Sequence, residues 1–256
     1  MPFDVMALGG SGTFPAPGAA CSGYLFRSGT TNLWVDAGPG TFANLQRHVD
    51  PAEVNAILLS HTHLDHVTDL FPFSYWKRYG PGASAPKFEV FAPPGAGEYL
   101  GRLGARQGDP GGDPEFGGHL AFREITDTLI QEIGDFELRF CRTRHPVETY
   151  AMRITTKSLT VAYTADTGPS PTVTNFAWGA NLLIAEASFQ QASRETADLH
   201  MSAGEAGEMA ARACVSQLAL THLVPGLDPA ISVEQASREF RGEVVVASDN
   251  LRLIVY

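Results

Sequence analysis

Residues 55–70 read NAILLSHTHLDHVTDL and join a short apolar run to a dense group of histidines. The run AILL predicts a buried strand, and SHTHLDH predicts a polar loop that leaves the strand. In such a loop His61 and His63 share one direction, while Asp65 and His66 share another. Neutral imidazole together with carboxylate is a ligand set for zinc and similar metals. The stretch therefore predicts a site for two metal ions in preference to a polar turn of structural histidines.

Two metal ions need more ligands than this loop supplies, and three candidates follow apolar runs further along the chain. His145 follows FELRFCRTR, Asp166 ends LTVAYTAD, and His222 follows LALT. Side chains that follow strands of an α/β sheet commonly meet at one edge of that sheet. The joint presence of all three, more than any one of them alone, predicts that they complete the metal site.

Composition favours a compact protein, residues 1–256, with one domain and a sizeable core. The 18 basic and 28 acidic residues give a net charge of −10, and no Lys/Arg cluster appears. This balance argues against long nucleic acids as partners but allows a small anion that a metal holds. Three widely spaced cysteines imply neither a disulfide framework nor a thiolate zinc site. No apolar run reaches 18 residues, so we expect no membrane segment and a cytoplasmic location.

Short strand-like runs recur along the whole chain and suit two sheets packed face to face. Gly134–Asp135 and residues 156–158 are predicted hairpin turns, and residues 104–118 are a predicted loop rich in Gly, Pro and Asp. Residues 41–49 and 67–79 are predicted helices, and Pro72 should bend or delay the second one.

The clearest helix signal is SAGEAGEMAARA, with Ser202 as N-cap and Glu205 three residues later, the pattern of a capping box. Small and apolar residues at helical spacing predict a buried stripe on this helix, made of Ala206, Met209, Ala210 and Ala213.

The ordered motifs H-x-H-x-D-H, His, Asp and His make the chain resemble the metallo-β-lactamase-fold hydrolases. The stretches LGGSGTFPAP, LWVDAG and ILLSHTHLDH are also similar to that family, so the resemblance spans nearly the whole chain. It implies an α/β (α+β) fold, the four-layer αββα sandwich with metals at one edge of the packed sheets. It also implies the ligand sets: His61, His63 and His145 for a first zinc; Asp65, His66 and His222 for a second; and Asp166 for both.

Further residues indicate the branch of this family. Asp166 stands where dinuclear β-lactamases carry Cys, which argues against antibiotic hydrolysis. Glu186 in LLIAEASF and His200 in ADLHMSAGEAG resemble the Glu and His of the ribonuclease Z-like phosphodiesterases. The resemblance implies that a metal-bridged hydroxide attacks phosphorus, that His200 protonates the leaving oxygen as general acid, and that Glu186 orients His200. Asp65, Glu186 and His200 are thus the predicted catalytic residues.

The substrate prediction depends on a short interval. Twenty residues separate His145 from Asp166 and leave room for one hairpin, whereas bacterial tRNA endonucleases carry a Gly-rich arm there. LQRHVDPAEVNAILLSHTHLDH, DLFPFSYWKRYG, TRHPVETYAMRIT and DLHMSAGEAG resemble actinobacterial cyclic-nucleotide phosphodiesterases. We therefore expect a small phosphodiester substrate, a 3′,5′-cyclic nucleotide. Two further expectations concern its binding: backbone N–H groups of residues 10–12 would line an anion pocket, and a base would stack on an aromatic among Tyr24, Phe73, Tyr75, Trp76 and Tyr150.

Several alternatives stay open at this point. A ribonuclease Z-like RNA endonuclease, a lactonase or another carboxylic-ester hydrolase could use the same metal ligands, and a non-catalytic metal-binding scaffold is a further class. Manganese or iron could replace zinc, and the resemblance suggests a homodimer as the family's habit. His48 and His119 are expected to be surface or structural residues.

Overall fold

A computed structural model of the chain describes residues 3–105, 118–192 and 199–256. The strands are β1 (Phe3–Gly9), β2 (Gly23–Ser28), β3 (Thr31–Val35), β4 (Ala56–Leu58), β5 (Phe88–Ala92), β6 (Leu120–Glu124), β7 (Ile130–Ile133), β8 (Phe136–Arg142), β9 (Tyr150–Thr155), β10 (Thr160–Tyr163), β11 (Leu182–Glu186), β12 (Gln217–Thr221), β13 (Glu243–Val246) and β14 (Arg252–Ile254).

These strands form two seven-stranded sheets. The first sheet has the order β14–β1–β2–β3–β4–β5–β6, and the second has the order β13–β12–β11–β10–β9–β8–β7. Strands β3 to β6 pair in parallel in the first sheet, as β10 to β13 do in the second. Because parallel strands end at the same edge, the loops that follow them can build one shared site.

Helices cover the outer face of each sheet. They are α1 (Thr41–Leu45), α2 (Leu64–Val67), α3 (Leu70–Tyr79), α4 (Ala96–Leu103), α5 (Pro171–Phe176), α6 (Ala203–Arg212) and α7 (Pro229–Glu239), with short 3-10 turns at Pro51–Glu53 and Pro81–Ser84.

Three apolar clusters separate four layers. The central cluster lies between the two sheets and joins Phe26 and Leu58 of the first to Met152 and Ile184 of the second. A second cluster packs α1, α3 and α4 onto the first sheet, and a third packs α5, α6 and α7 onto the other. The layers therefore run helix, sheet, sheet, helix, which confirms the predicted αββα sandwich.

The predicted helices form, with shifted bounds. The first ends at Leu45 instead of residue 49, and turns lead from it to the Pro51 turn. The second divides into α2 and α3, and Pro72 lies in the first turn of α3, where its missing N–H breaks no helical bond. The predicted capping box of Ser202 and Glu205 is confirmed at the start of α6.

The predicted stripe and turns also form. Ala206, Met209, Ala210 and Ala213 are all buried against the second sheet. Gly134, with a φ of 55°, lies in the tight turn between β7 and β8, and residues 156–158 lie between β9 and β10. Of the loop predicted at 104–118, residues 106–117 lie outside the described residues. Among the helices of the described ranges, none has both the length and the apolar character needed to cross a membrane.

Candidate metal centre

The side chains of the candidate site lie at or just beyond the ends of strands in both sheets. His61 and His63 follow β4, and Asp65 and His66 lie on the short helix α2, which comes next along the chain. The second sheet supplies the rest of the set from its own strand ends: His145 after β8, Asp166 after β10, Glu186 at the end of β11, and His222 after β12. The layered fold thus brings residues that are far apart in sequence to one edge.

The first group of predicted ligands surrounds His63. Its Nδ1 lies 3.1 Å from Nε2 of His61 and 3.3 Å from Nε2 of His145. Oδ2 of Asp166 lies 3.4 Å from Nε2 of His61 and 3.9 Å from Nε2 of His145. These four ligand atoms all lie within 4.8 Å of one another, so one metal ion could contact all of them.

The second group lies beside the first. Oδ2 of Asp65 is 3.2 Å from Nε2 of His222 and 3.7 Å from Nε2 of His66. Oδ1 of Asp166 lies 3.3 Å from Nε2 of His66, and its Oδ2 lies 3.5 Å from Nε2 of His222. Asp166 therefore stands between the two groups with an oxygen available to each, the position expected of a residue that bridges two metal ions.

Asp36 holds two of the histidines from behind. Its Oδ2 accepts hydrogen bonds at 2.8 Å from Ser60 Oγ, His66 Nδ1 and the Tyr163 hydroxyl, and its Oδ1 accepts one at 2.7 Å from the Ser60 N–H. Since the Ser60 hydroxyl donates its only proton to Asp36, its oxygen accepts at 3.0 Å from Nδ1 of His61. Both histidines therefore carry the proton on Nδ1 and keep the Nε2 lone pair free for a metal.

These lone pairs meet carboxylate oxygens with no donor between them. Nδ1 of His145 donates to the Leu199 carbonyl at 2.9 Å, so Nε2 of this histidine is also a bare acceptor. Nε2 of His66 and Oδ1 of Asp166 are buried without a hydrogen-bond partner. Acceptors that face one another at such distances repel unless a cation lies between them. The described residues therefore fit divalent metal ions, and their imidazole and carboxylate donors suit zinc, with manganese and iron as alternatives.

Burial and neighbouring charges also shift the pKa values of the clustered histidines. Burial, with the neighbouring His66, lowers the pKa of His61 to about 4, and burial lowers the pKa of His63 and of His145. Burial alone would also lower the pKa of His66, but the charges of Asp166 and Asp36 hold it well above its usual value. The two carboxylates thus oppose the effect of burial on His66.

His200 lies at the open side of this cluster. Its ring stacks on His222 with the centroids 5.3 Å apart, and its Nδ1 lies 3.0 Å from Oε1 of Glu186. The side chain of His200 is 19% exposed, whereas that of Glu186 is 1% exposed. Burial would lower the pKa of His200, but the hydrogen bond and charge of Glu186 raise it above its usual value. This histidine is therefore placed to carry a proton at the mouth of the metal centre.

The glycine-rich turn after β1 has a different role from the expected anion pocket. The N–H groups of Ser11 and Gly12 donate to the carbonyls of Ala20 and Leu223, both at 3.0 Å, so that expectation is wrong for these two residues. A Cβ on Gly12 would lie 2.5 Å from the His222 carbonyl oxygen, so glycine allows this turn to pack against His222. The next residue, Thr13, donates its N–H to Oδ2 of Asp65 at 2.9 Å.

Most of the aromatic side chains considered for base stacking belong to the core. Tyr24 and Phe73 are fully buried, and Tyr150 is 4% exposed, so stacking on a substrate is wrong for these three. Trp76 packs against Phe73 in the outer core, and Tyr75 is exposed on α3.

The two remaining histidines lie outside the groups just described. Nε2 of His48 lies 2.7 Å from Oδ1 of Asn250, which agrees with a structural role. His119 directly precedes β6.

Sequence reasoning missed the buried residues that hold the ligands in place. Asp36 ends the apolar run LWVD, Ser60 directly precedes His61, and Ser188 follows Glu186 by two residues. A polar residue at the end of an apolar strand was the available signal in each case. That signal is weak because such residues also occur at ordinary strand ends.

The comparisons with known proteins agree with this geometry. The model of the Beta-lactamase superfamily domain matches residues 31–223. An uncharacterized protein of Mycobacterium tuberculosis, Rv1339, is 35% identical over 243 residues, which cover 94% of this chain and 88% of the relative. A ribonuclease Z of Mycolicibacterium paratuberculosis is 32% identical over 278 residues, which cover 98% of both proteins.

The Bacillus subtilis protein named "Probable metallo-hydrolase YhfI" is 34% identical over 250 residues, covering 95% of this chain and 96% of the relative. The crystal structure of YhfI, a metallo-beta-lactamase fold protein, matches with a TM-score of 0.88 and 31% identity over 99% of this chain and 100% of that one. The match of the fold, the match over most of the sequence and the metal-competent cluster agree: the chain belongs to the β-lactamase superfamily and is a metallo-hydrolase.

Proposed function

We propose that this protein is a dinuclear zinc phosphodiesterase that hydrolyses small phosphodiesters, with 3′,5′-cyclic nucleotides as its substrates. The observation that carries the proposal is the position of His200, a histidine paired with Glu186 beside the metal centre. Nitrogen and oxygen ligand atoms of His200, Asp166 and His222 lie within 4.8 Å of one another. A group that can donate a proton thus stands next to the place where metal ions would hold a phosphoryl group.

The ligand assignment follows the two groups described above. His61, His63 and His145 would hold one zinc, Asp65, His66 and His222 the other, and Asp166 would contact both. When bound, such a pair of cations lowers the pKa of a metal-bound water toward neutral pH and neutralises charge on the phosphoryl oxygens. The N–H of Thr13 donates to Oδ2 of Asp65 and helps to hold this carboxylate at the site. Asp36 and Ser60 fix the rings of His66 and His61 before any ion binds.

His200 supplies what a phosphodiester needs and an activated ester does not. The alkoxide that leaves a nucleotide phosphodiester is strongly basic, so a proton delivered to that oxygen lowers the barrier, typically by about 10²–10⁴-fold in rate. Glu186 accepts from Nδ1 of His200 and thereby leaves Nε2 as the atom that can deliver the proton. The raised pKa of His200 favours its protonated form.

A small substrate fits the rest of the chain. The interval between His145 and Asp166 holds only the hairpin of β9 and β10 and no arm that could grip a large RNA. The net charge of −10 also opposes a long polyanion. A second candidate is a ribonuclease Z-like RNA endonuclease, which the 32% identity to ribonuclease Z favours.

A single panel separates these candidates. The purified protein would be analysed for metal and assayed on 3′,5′-cyclic nucleotides, bis(p-nitrophenyl) phosphate, a lactone and a precursor tRNA. We expect two zinc ions per chain and turnover of the cyclic nucleotides. Faster cleavage of the precursor tRNA would favour the endonuclease, and activity confined to the lactone would overturn phosphodiester chemistry.

A further inference from the structure

Ser188 lies between a metal-ligand histidine and the carboxylate that holds the proton donor. Its Oγ is 2.8 Å from Oε2 of Glu186 and 2.8 Å from Nδ1 of His222. The other oxygen of Glu186, Oε1, lies 3.0 Å from Nδ1 of His200. An unbroken chain of hydrogen bonds therefore runs from His222 through Ser188 and Glu186 to His200, and the first three of these residues are buried.

The direction of each bond in this chain follows from the number of protons available. Glu186 also accepts from the backbone N–H groups of Thr167 at 2.6 Å and Met201 at 3.2 Å. Its carboxylate is thus surrounded by donors and acts only as an acceptor. The Ser188 hydroxyl has one proton, and when this proton goes to Glu186 the hydroxyl oxygen accepts from Nδ1 of His222. Nε2 of His222 is then the bare atom that faces Asp65.

The same arrangement occurs on the opposite side of the centre. Ser60 donates to Asp36 and accepts from His61, as Ser188 donates to Glu186 and accepts from His222. The two sides differ in the second histidine that each carboxylate holds. Asp36 holds His66, another predicted metal ligand, whereas Glu186 holds His200, the predicted proton donor.

We propose that Ser188 is a positioning residue that joins the metal ligand His222 to the proton donor His200 through Glu186, so that metal binding and the placement of the acid depend on each other. This inference rests on the proposed function for the role of His200. Ser60, by contrast, joins one metal ligand to another and leaves the acid untouched.

The physical basis is the single proton of the hydroxyl. A metal ion on Nε2 of His222 requires a proton on Nδ1, and this proton fixes the Ser188 hydroxyl on Glu186. Without the ion, His222 can carry its proton on Nε2 and donate it to Asp65, which is 3.2 Å away. The Ser188 hydroxyl can then turn to Nδ1, and Glu186 loses one of the donors that hold its carboxylate in line with His200.

The first test measures metal affinity and needs no substrate. Zinc dissociation constants would be measured by chelator competition for the wild type, Ser188→Ala, His200→Ala and the double variant. We expect Ser188→Ala to weaken zinc binding by about 10–100-fold, the usual effect of losing a residue that supports a ligand. For two independent substitutions, the fold-change in the zinc dissociation constant of the double variant equals the product of the two single fold-changes to within about twofold. For Ser188→Ala with His200→Ala we expect the double variant to differ from this product by about threefold or more.

Ser60 provides the matched control for that cycle. Ser60→Ala should also weaken zinc binding, because it removes an equivalent bond to His61, but its effect should multiply with that of His200→Ala. If the single fold-changes in zinc affinity multiply in both double-mutant cycles, the coupling between Ser188 and His200 is overturned. This outcome would leave the proposed phosphodiesterase activity unaffected.

The second test compares leaving groups at saturating zinc. Ser188→Ala should lower turnover of 3′,5′-cAMP more than turnover of bis(p-nitrophenyl) phosphate, because only the former needs the proton of His200. Ser60→Ala should lower both to a similar extent. The side chains introduced by Ser188→Thr and Ser188→Val have nearly the same shape, but only Thr carries a hydroxyl. Ser188→Thr should therefore retain the wild-type ratio of turnover on 3′,5′-cAMP to turnover on bis(p-nitrophenyl) phosphate, and Ser188→Val should lose it. Equal ratios in these two variants would contradict a role for the hydroxyl, even if Ser188→Ala failed to fold.

Discussion

Oδ2 of Asp36 accepts a hydrogen bond from Nδ1 of His66 at 2.8 Å, and both side chains are fully buried. The bond fixes the ring of His66 with Nε2 directed toward Asp166 and Asp65. Among the described residues, Asp36 lies outside each group of side chains that could hold a metal ion, yet it decides which nitrogen of His66 faces the candidate ligands. The arrangement of the candidate ligands therefore depends on a carboxylate outside the groups that could hold a metal ion.

We expect Asp36→Asn to weaken zinc binding by about 10–100-fold, because the amide cannot accept from all the donors that the carboxylate holds. Chelator competition would measure the change. Asp4→Asn is the matched control: Asp4 accepts from Arg27 and Arg252 and lies away from the site, so its loss should leave zinc affinity unchanged. Equal zinc affinity in wild type and Asp36→Asn would show that Asp36 does not order the ligands.

We expect His66→Ala to lower the zinc content from two ions toward one per chain and to abolish hydrolysis. The substitution removes a nitrogen that faces both Asp65 and Asp166, so the second group loses a ligand while His61, His63 and His145 remain. Elemental analysis after exhaustive dialysis would give the stoichiometry. Retention of two ions by this variant would show that the ligand assignment is wrong.

We expect His200→Ala to keep its zinc but to lose about 10²–10⁴-fold in turnover of 3′,5′-cAMP. The loss on bis(p-nitrophenyl) phosphate should be far smaller, since nitrophenolate leaves without a proton. His48→Ala, which removes a histidine bonded to Asn250 away from the centre, serves as control and should retain both activities. An equal loss on the two substrates would remove the role of His200 as an acid.

The activity on 3′,5′-cAMP should fall as the pH rises through the pKa of His200, since this residue acts in its protonated form. Glu186 raises that pKa against the effect of burial. In Glu186→Gln the negative charge is absent, the pKa of His200 falls, and the loss of activity should move to lower pH. Profiles of turnover against pH for both proteins would show the shift, with circular dichroism to confirm that the variant folds. A shift toward higher pH would contradict the pairing.

Much of the fold and of the candidate site could be predicted from local sequence. The spacing of His61, His63, Asp65 and His66 points to metal ligands because few other uses explain so many imidazoles in one loop. The capping box at Ser202 also lies within four residues and was found in place. The N–H groups of Ser11 and Gly12, by contrast, were assigned to an anion pocket and instead bind carbonyls of distant residues.

The contacts that hold the centre together join distant parts of the chain. Asp36 reaches Tyr163 in the opposite sheet, and Ser188 reaches His222 across two parallel strands. No periodicity or spacing encodes such pairs, since the first forms only when the two sheets pack and the second only when β11 lies beside β12.

The sequence by itself determined which residue types carry the chemistry: imidazoles and carboxylates at the ends of strands, in an order typical of metal ligands. Only the tertiary structure decided which nitrogen of each histidine faces the centre. For four of them, His66, His61, His222 and His145, that choice depends on where the Nδ1 proton is accepted: by Asp36, Ser60, Ser188 and the Leu199 carbonyl respectively. Hydrogen bonds act over about 3 Å, so these partners are set by packing and not by neighbourhood in the chain.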